Sequence, residues 1–181
     1  MTITINGSGT VTGITAGGLP DAIITQPELA TGVAGTGPAF SAYQTNGSVN
    51  QSIASDVFTK AKIDTEEFDT NSNYDTSLYR FSPTVAGYYQ VNGNLYLVNA
   101  ASSALKLVAL YKNGSIYKSG TSLYFTGNYY AAADNFTVSS LIYLNGSTDY
   151  VELYAYISST NASIGFGSVN TWFNAAMIRS A

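Results

Sequence analysis

The sequence predicts an all-β sandwich preceded by an extended N-terminal arm, and three observations carry that reading. Thr, Ser, Asn, Gly and Tyr dominate, with 15 Tyr and only 10% charged residues, a composition that favours strands and tight turns over helices. From Ala39 onward, strand-length segments follow one another at the spacing of a sandwich. The pairs Asn113-Gly114 and Asn145-Gly146 supply the residue types that two-residue hairpins require. At 181 residues the chain has room for one such domain with a real core plus a short extra segment.

Residues 1–37 contain no aromatic residue and many Gly and Thr. Thr2-Ile3-Thr4-Ile5 and Thr10-Val11-Thr12-Gly13-Ile14 alternate apolar and polar, with Asn6-Gly7 as a turn between them. Asp21 to Ala30 reads as a short turn of helix, capped by Thr25, with Pro27 in its first turn and Glu28 beside the dipole. Gly32 to Gly37 is linker-like. Such a segment cannot bury enough surface to fold alone. It is therefore either a disordered tail or a docking or trimer-stalk arm that orders on assembly.

The strands of the domain, residues 38–181, are read in order. Ala39 to Tyr43 comes first, then Phe58 to Phe68 and Tyr79 to Phe81 around an Asn-rich turn. Gly87 to Asn99 alternates well, placing Tyr89, Val91, Gly93, Leu95 and Leu97 on one face and Tyr88 on the other. Leu105 to Lys112, Ser115 to Lys118, Phe136 to Leu144, Tyr150 to Ile157 and Trp172 to Ile178 complete the set. Tyr154 and Tyr156 share a face, lining either the core or a subunit contact.

The run Phe68-Asp69-Thr70-Asn71-Ser72-Asn73-Tyr74-Asp75, followed by Phe81-Ser82-Pro83-Thr84-Val85-Ala86-Gly87-Tyr88-Tyr89-Gln90-Val91, resembles the signature of the C1q/TNF-like jelly roll. The flavour is the Asn/Ser/Tyr-rich one found in bacteriophage tail-fibre and virion proteins. Phe81, Gly87 and Tyr89 stand at signature positions, while Val91 stands where the family usually has Phe. The resemblance covers roughly residues 39 to 179 and implies an all-β, ten-stranded jelly-roll sandwich. It places the ending around Trp172 as a central strand, with Trp172 in the core. It also implies a homotrimer packed about a three-fold axis. So many Tyr residues exceed what one small core consumes, and burial between subunits accounts for the surplus. The stretch INGSGTVTGITAGGLPD in the arm is similar to segments that precede phage fibre-end domains.

Composition excludes several chemistries. Cys and His are absent, which rules out disulfides, Cys/His zinc sites, Cys nucleophiles and a Ser-His-Asp triad. A net charge of −4 without a basic run gives no footprint for nucleic acid. The start MTITINGSG has neither a basic nor an apolar leader region, and no apolar stretch reaches membrane-spanning length. No membrane partner is expected; the reading is a protein made in a host cytoplasm and carried into a virion. The triplets at Asn46, Asn113, Asn135, Asn145 and Asn161 then read as turn chemistry, not glycan acceptors.

Paired carboxylates are the one catalytic set left, in the cluster Asp64, Glu66, Glu67, Asp69 with Asp75 nearby. Glu66 and Glu67 are adjacent, so in a strand they point to opposite faces and do not share a cleft. A solvated strand edge is the simpler account, and no enzyme is expected. These oxygens could hold calcium, as some relatives by resemblance do in their trimers, but no EF-hand-like spacing supports it here, and no cofactor is expected. The better clue is the loop Asn128-Tyr129-Tyr130-Ala131-Ala132-Ala133-Asp134-Asn135. Tyr stacks on sugar faces, and Asn and Asp fix sugar hydroxyls. Asn128, Tyr129, Tyr130 and Asp134 are the glycan-contact candidates, against the plain alternative that loop Tyr packs back on the sheet or on a neighbouring subunit. Trp172 is read as core and not as a sugar platform.

The resulting expectation is a bacteriophage virion structural protein, a trimeric tail-fibre or baseplate-end adhesin that contacts host surface polysaccharide. Residues 1–37 would dock it to other virion proteins. The alternative is a capsid decoration (cement) protein whose arms stabilise the head lattice.

Overall fold

The computed structural model describes residues 37–98, 104–125 and 134–181. Two antiparallel sheets pack face to face. The strands, in chain order, are β1 (Ala39–Tyr43), β2 (Gln51–Ile53), β3 (Thr59–Lys60), β4 (Thr65–Asp69), β5 (Tyr74–Asp75), β6 (Arg80–Phe81), β7 (Ala86–Val98), β8 (Ala104–Lys112), β9 (Ser115–Phe125), β10 (Asp134–Asn145), β11 (Val151–Ile157), β12 (Ala162–Gly165) and β13 (Trp172–Ser180). One sheet has seven strands in the order β2-β12-β7-β13-β1-β4, with β10 on the free edge of β7; the other runs β5-β6-β11-β8-β9, with β3 beside β11. The described residues thus carry more strands than the ten expected. Short polar β2, β5 and β12 were the ones the sequence did not announce.

β7 organises the larger sheet. It pairs with β10 from Ala86 to Leu97 along one edge, and with β13 and then β12 along the other. Its alternation is the reason. Tyr89, Val91, Leu95 and Leu97 are fully buried, and Gly93 leaves room for Leu153 of the opposite sheet, whose Cδ1 lies 2.6 Å from where a Gly93 Cβ would stand. Gly87 is needed for another close approach: a Cβ there would meet the Arg179 carbonyl oxygen of β13 at 2.5 Å.

The signature residues meet in one aromatic cluster. Phe40 stacks on Tyr74 at 4.5 Å and on Phe81 at 4.6 Å, and Phe81 meets Tyr89 edge-on at 5.6 Å. Such pairs add to their burial through favourable ring geometry. The two phenols are satisfied: Tyr74 donates to the Ile63 carbonyl at 2.8 Å and Tyr89 to the Val85 carbonyl at 2.7 Å. The signature carboxylates serve the backbone. Asp69 accepts from the Asn71 and Tyr74 amides, and Asp75 accepts from the Ser77 amide, the Ser77 hydroxyl and the Leu78 amide.

Four expectations need correction. Trp172 is only half-buried, and Phe173 occupies the core. Phe173 lies opposite Ala42 and Gly93, two small inward positions, whereas Trp172 lies opposite Tyr43 and Asn94 on the outward face. Phe58 to Phe68 is not one strand; β3 and β4 are separated where Asp64 turns aside to bind the Thr45 and Asn46 amides. β9 runs on past Lys118 to Phe125. Asn145-Gly146 is not a hairpin, because β10 and β11 belong to different sheets. There Asn145 Oδ1 accepts from the amides of Ser147, Thr148 and Asp149, and the chain crosses the sandwich end. Asn113-Gly114 does form the two-residue turn, with φ of 52° and 79°, the conformation of a type I′ hairpin.

Candidate assembly face

The outward residues of β10, β7 and β13 form a surface without carboxylates. Their registers set it out in rows: Tyr143 beside Tyr88, Leu141 beside Gln90 and Ala176, and Ser139 beside Asn92 and Asn174. The first rows are apolar and open. Tyr88, Leu141, Tyr143 and Ile178 are 44%, 52%, 41% and 62% exposed, and with the last residues of the chain they line a shallow hollow of about 730 Å³. Tyr88 and Tyr143 touch at 5.5 Å between ring centres. Ile178 reaches this patch because the β13 register slips between Met177 and Arg179.

The next row is a hydrogen-bond network of neutral side chains. Asn92 donates to Asn174 at 3.0 Å, Gln90 donates to Asn92 at 3.0 Å and to Ser139 at 2.8 Å, and Ser139 donates to Asn92 at 2.8 Å. Asn94 extends it by donating to Asn135 and to the Asn170 carbonyl. Contiguous exposed apolar area with neutral amides on one side and Arg179 on the other has the mixed chemistry of an interface patch.

The outer face of the other sheet is also aromatic but more closed. Tyr111 stacks on Tyr154 at 3.8 Å, and Phe58 packs against Tyr111 and Tyr156. Tyr154 and Tyr156 therefore lie outside the core. Beneath them, buried Glu152 pairs with Lys60 at 2.7 Å. Burial, and then the Glu152 charge, push the Tyr154 phenol up to about 12. Tyr156 donates to Asp56 at 3.1 Å, which raises its phenol as well.

Of the sequence-derived glycan candidates, Asn128, Tyr129 and Tyr130 lie outside the described residues. Asp134 opens β10, and its carboxylate stands 3.7 Å from the ammonium of buried Lys106. Burial lowers the Lys106 pKa, and Asp134 opposes that shift. Core-signature residues Phe81, Gly87 and Tyr89 are buried. Glu66 and Glu67 are exposed on the edge strand β4, and Glu67 accepts from the Ser41 hydroxyl. Among the described residues no three His, Cys, Asp or Glu side chains gather as a metal site.

No protein-family model matches this sequence, and no curated protein matches it. Solved structures do match in three dimensions. The globular domain of zebrafish complement 1qA superposes with a TM-score of 0.54 at 16% identity, covering 80% of this chain and 99% of that one. Murine APRIL at pH 5.0 gives 0.54 at 10% identity over 78% of this chain and 99% of its own. The PRD1 vertex protein P5 gives 0.52 at 18% identity, over 78% of this chain and 73% of its own. The chain has the fold of these proteins, a two-sheet antiparallel sandwich of the C1q/TNF jelly-roll type.

Proposed function

We propose that the protein is a structural component of a bacteriophage virion: a homotrimer that sits at the end of a tail fibre or baseplate and adheres to host surface polysaccharide. The observation that carries this reading is the half-exposed apolar patch of Tyr88, Leu141, Tyr143 and Ile178 beside a hydrogen-bonded row of neutral amides. A lone domain gains nothing from exposing it, and three copies meeting about a three-fold axis would cover it. Trimerisation would also multiply weak glycan contacts. The action is binding, without catalysis: Asp64, Asp69 and Asp75 cap backbone amides, and Glu66 and Glu67 are adjacent on an exposed edge strand, where they do not share a cleft.

Sedimentation equilibrium of the full chain tests the assembly. The native protein should run at three times its chain mass, and Leu141→Glu with Ile178→Lys should run as a folded monomer. A native monomer at micromolar concentration would overturn the assembly.

A second reading, a capsid decoration trimer held by residues 1–37, is favoured by the fold shared with a viral vertex protein. Gold-labelled antibody on intact virions separates the two. Label at the tail tip supports the adhesin, and label over the head supports the decoration protein.

A further inference from the structure

We propose that the hollow beside Arg80 is a binding site for an acidic sugar, a hexuronate-type residue carrying one carboxylate. The hollow has a volume of about 410 Å³, and Ser72, Asp75, Thr76, Arg80, Ser82 and Thr84 line it. It lies far in sequence from the loop singled out as a glycan contact. The inference deepens the adhesin reading and rests on it for biological meaning.

Arg80 acts on Asp75 through its charge alone, and its hydrogen-bonding capacity stays open. Its guanidinium carbon lies over the Tyr150 ring at 4.7 Å from the ring centre, a cation–π contact that helps hold the side chain in place. Yet it makes no salt bridge and no side-chain hydrogen bond among the described residues. A planar array of unspent N–H donors matches a carboxylate in two-point geometry.

The backbone holds this position against its own preference. Tyr79, immediately before Arg80, has φ of +53°, a conformation that bulky residues rarely adopt. Asp75 compensates by binding the Leu78 amide at 2.9 Å, while Lys60 donates to the Leu78 carbonyl at 3.2 Å. Asp75 is also the cross-strand partner of Arg80.

The rest of the lining suits a sugar ring. The hydroxyls of Ser72, Thr76, Ser82 and Thr84 have no hydrogen-bond partner among the described residues. On the assembly face, by contrast, Asn92, Asn174, Gln90 and Ser139 bond to one another. Unspent hydroxyls around a hollow offer both donors and acceptors to a polyol. Asp75 offsets part of the Arg80 charge, so a carboxylate would be held by the two-point geometry of the guanidinium and not by net charge. A phosphate dianion would meet Asp75 with no second cation to offset it.

Chemical-shift mapping on the isotope-labelled full chain tests the site, with D-glucuronate, D-glucose and inorganic phosphate as separate titrants. Glucuronate should move the Arg80 side-chain N–H and the amides of residues 72–84. Glucose and phosphate should bind at least about tenfold more weakly, the order expected when charge-assisted bonds or ring contacts are lost. Arg80→Gln should lose glucuronate by at least about tenfold while keeping native amide dispersion, and Arg80→Lys should fall between.

Equal glucuronate binding by Arg80→Gln, tighter binding of phosphate, or no response in residues 72–84 would each overturn the site. The two readings fail separately. Head labelling of virions with intact glucuronate binding removes the adhesin and leaves the site. Tail-tip labelling with no glucuronate response removes the site and leaves the adhesin.

Discussion

Gly120 of β9 packs directly against Thr137 of β10, so that the edges of the two sheets touch where no side chain intervenes. A Cβ on Gly120 would collide with the Thr137 carbonyl oxygen and stand 2.6 Å from Val138 Cβ. The neighbouring Thr121 hydroxyl donates to the same Thr137 carbonyl at 3.2 Å. This contact closes one side of the sandwich. Because backbone, not a flexible side-chain end, occupies the space, Gly120→Ala should cost about 1–3 kcal/mol, the range for forced overpacking. Chemical denaturation with an unchanged slope would register it; an unchanged midpoint would show that the edges separate freely.

The Asn113-Gly114 turn is tied to the residues just before β11 through one side chain. Asn113 donates to Asp149 at 2.8 Å and accepts from the Tyr150 amide at 3.0 Å, with its own φ at 52°. Asn113→Ala loses both bonds and adds strain at positive φ, so a loss of about 2 kcal/mol is expected. Asn113→Gly removes the strain component and should recover part of it. Thermal melts of the two variants give the comparison.

How much of this was legible beforehand depends on whether an element has two different faces. β1 and β7 were readable because buried and solvated residues alternate along them. β9 beyond Lys118 was not: the adjacent Leu123 and Tyr124 are both exposed, so no period marks that part of the strand. Trp172 and Phe173 are adjacent aromatics, and only the register against Gly93 decides which one turns inward. The Arg80 hollow was hidden for a different reason. Its platform, Tyr150, is separated by a long stretch of chain from the loop it supports, and unspent hydrogen-bond capacity is a property of coordinates that a sequence does not display.

Acid stability should be governed by capped carboxylates. Burial would raise the Asp64 pKa, but hydrogen bonds from the Thr45 and Asn46 amides outweigh it and leave the group below its usual 3.8. Asp149 behaves alike, with burial opposed by Asn113 and Lys112. Hydrogen bonds from Ser77 and the Leu78 amide lower Asp75. A folded pKa below the unfolded one means stability present above about 3.9 and lost as pH falls through the folded value. Melting temperature should therefore drop steeply below that point, and Asp64→Asn should flatten part of the drop. A native profile that is level across this acid range would contradict the assignment.

At the alkaline end the sign reverses. Burial raises the Tyr89 phenol to about 12, and Tyr154 also reaches about 12 through burial and the Glu152 charge. A phenol whose pKa is raised on folding contributes stability that is whole below pH about 10 and disappears as pH rises through about 12. Ultraviolet titration of phenolate absorbance should show a late component coinciding with unfolding. Tyr89→Phe should remove part of that component and cost about 1 kcal/mol for the lost bond to Val85. Full phenol ionisation without loss of fold would refute it.

The Lys60–Glu152 pair separates two views of the aromatic face above it. Glu152 is nearly fully buried, while the Lys60 side chain retains 32% exposure, and their contact is 2.7 Å. Breaking a buried pair from one side strands a charge, which costs far more than the pair itself is worth. Lys60→Met should destabilise by about 2 kcal/mol, the buried-pair cost discounted for the solvent still reaching Lys60. Lys60→Met combined with Glu152→Gln should recover most of that loss, because no ion then remains under Tyr154. The same double variant should bring the Tyr154 phenol down from about 12, since its Glu152 contribution is gone. Additive losses in the double variant, with the phenol unmoved, would mean that Tyr111 and Tyr154 are held by ring stacking alone and that the ion pair beneath them is incidental.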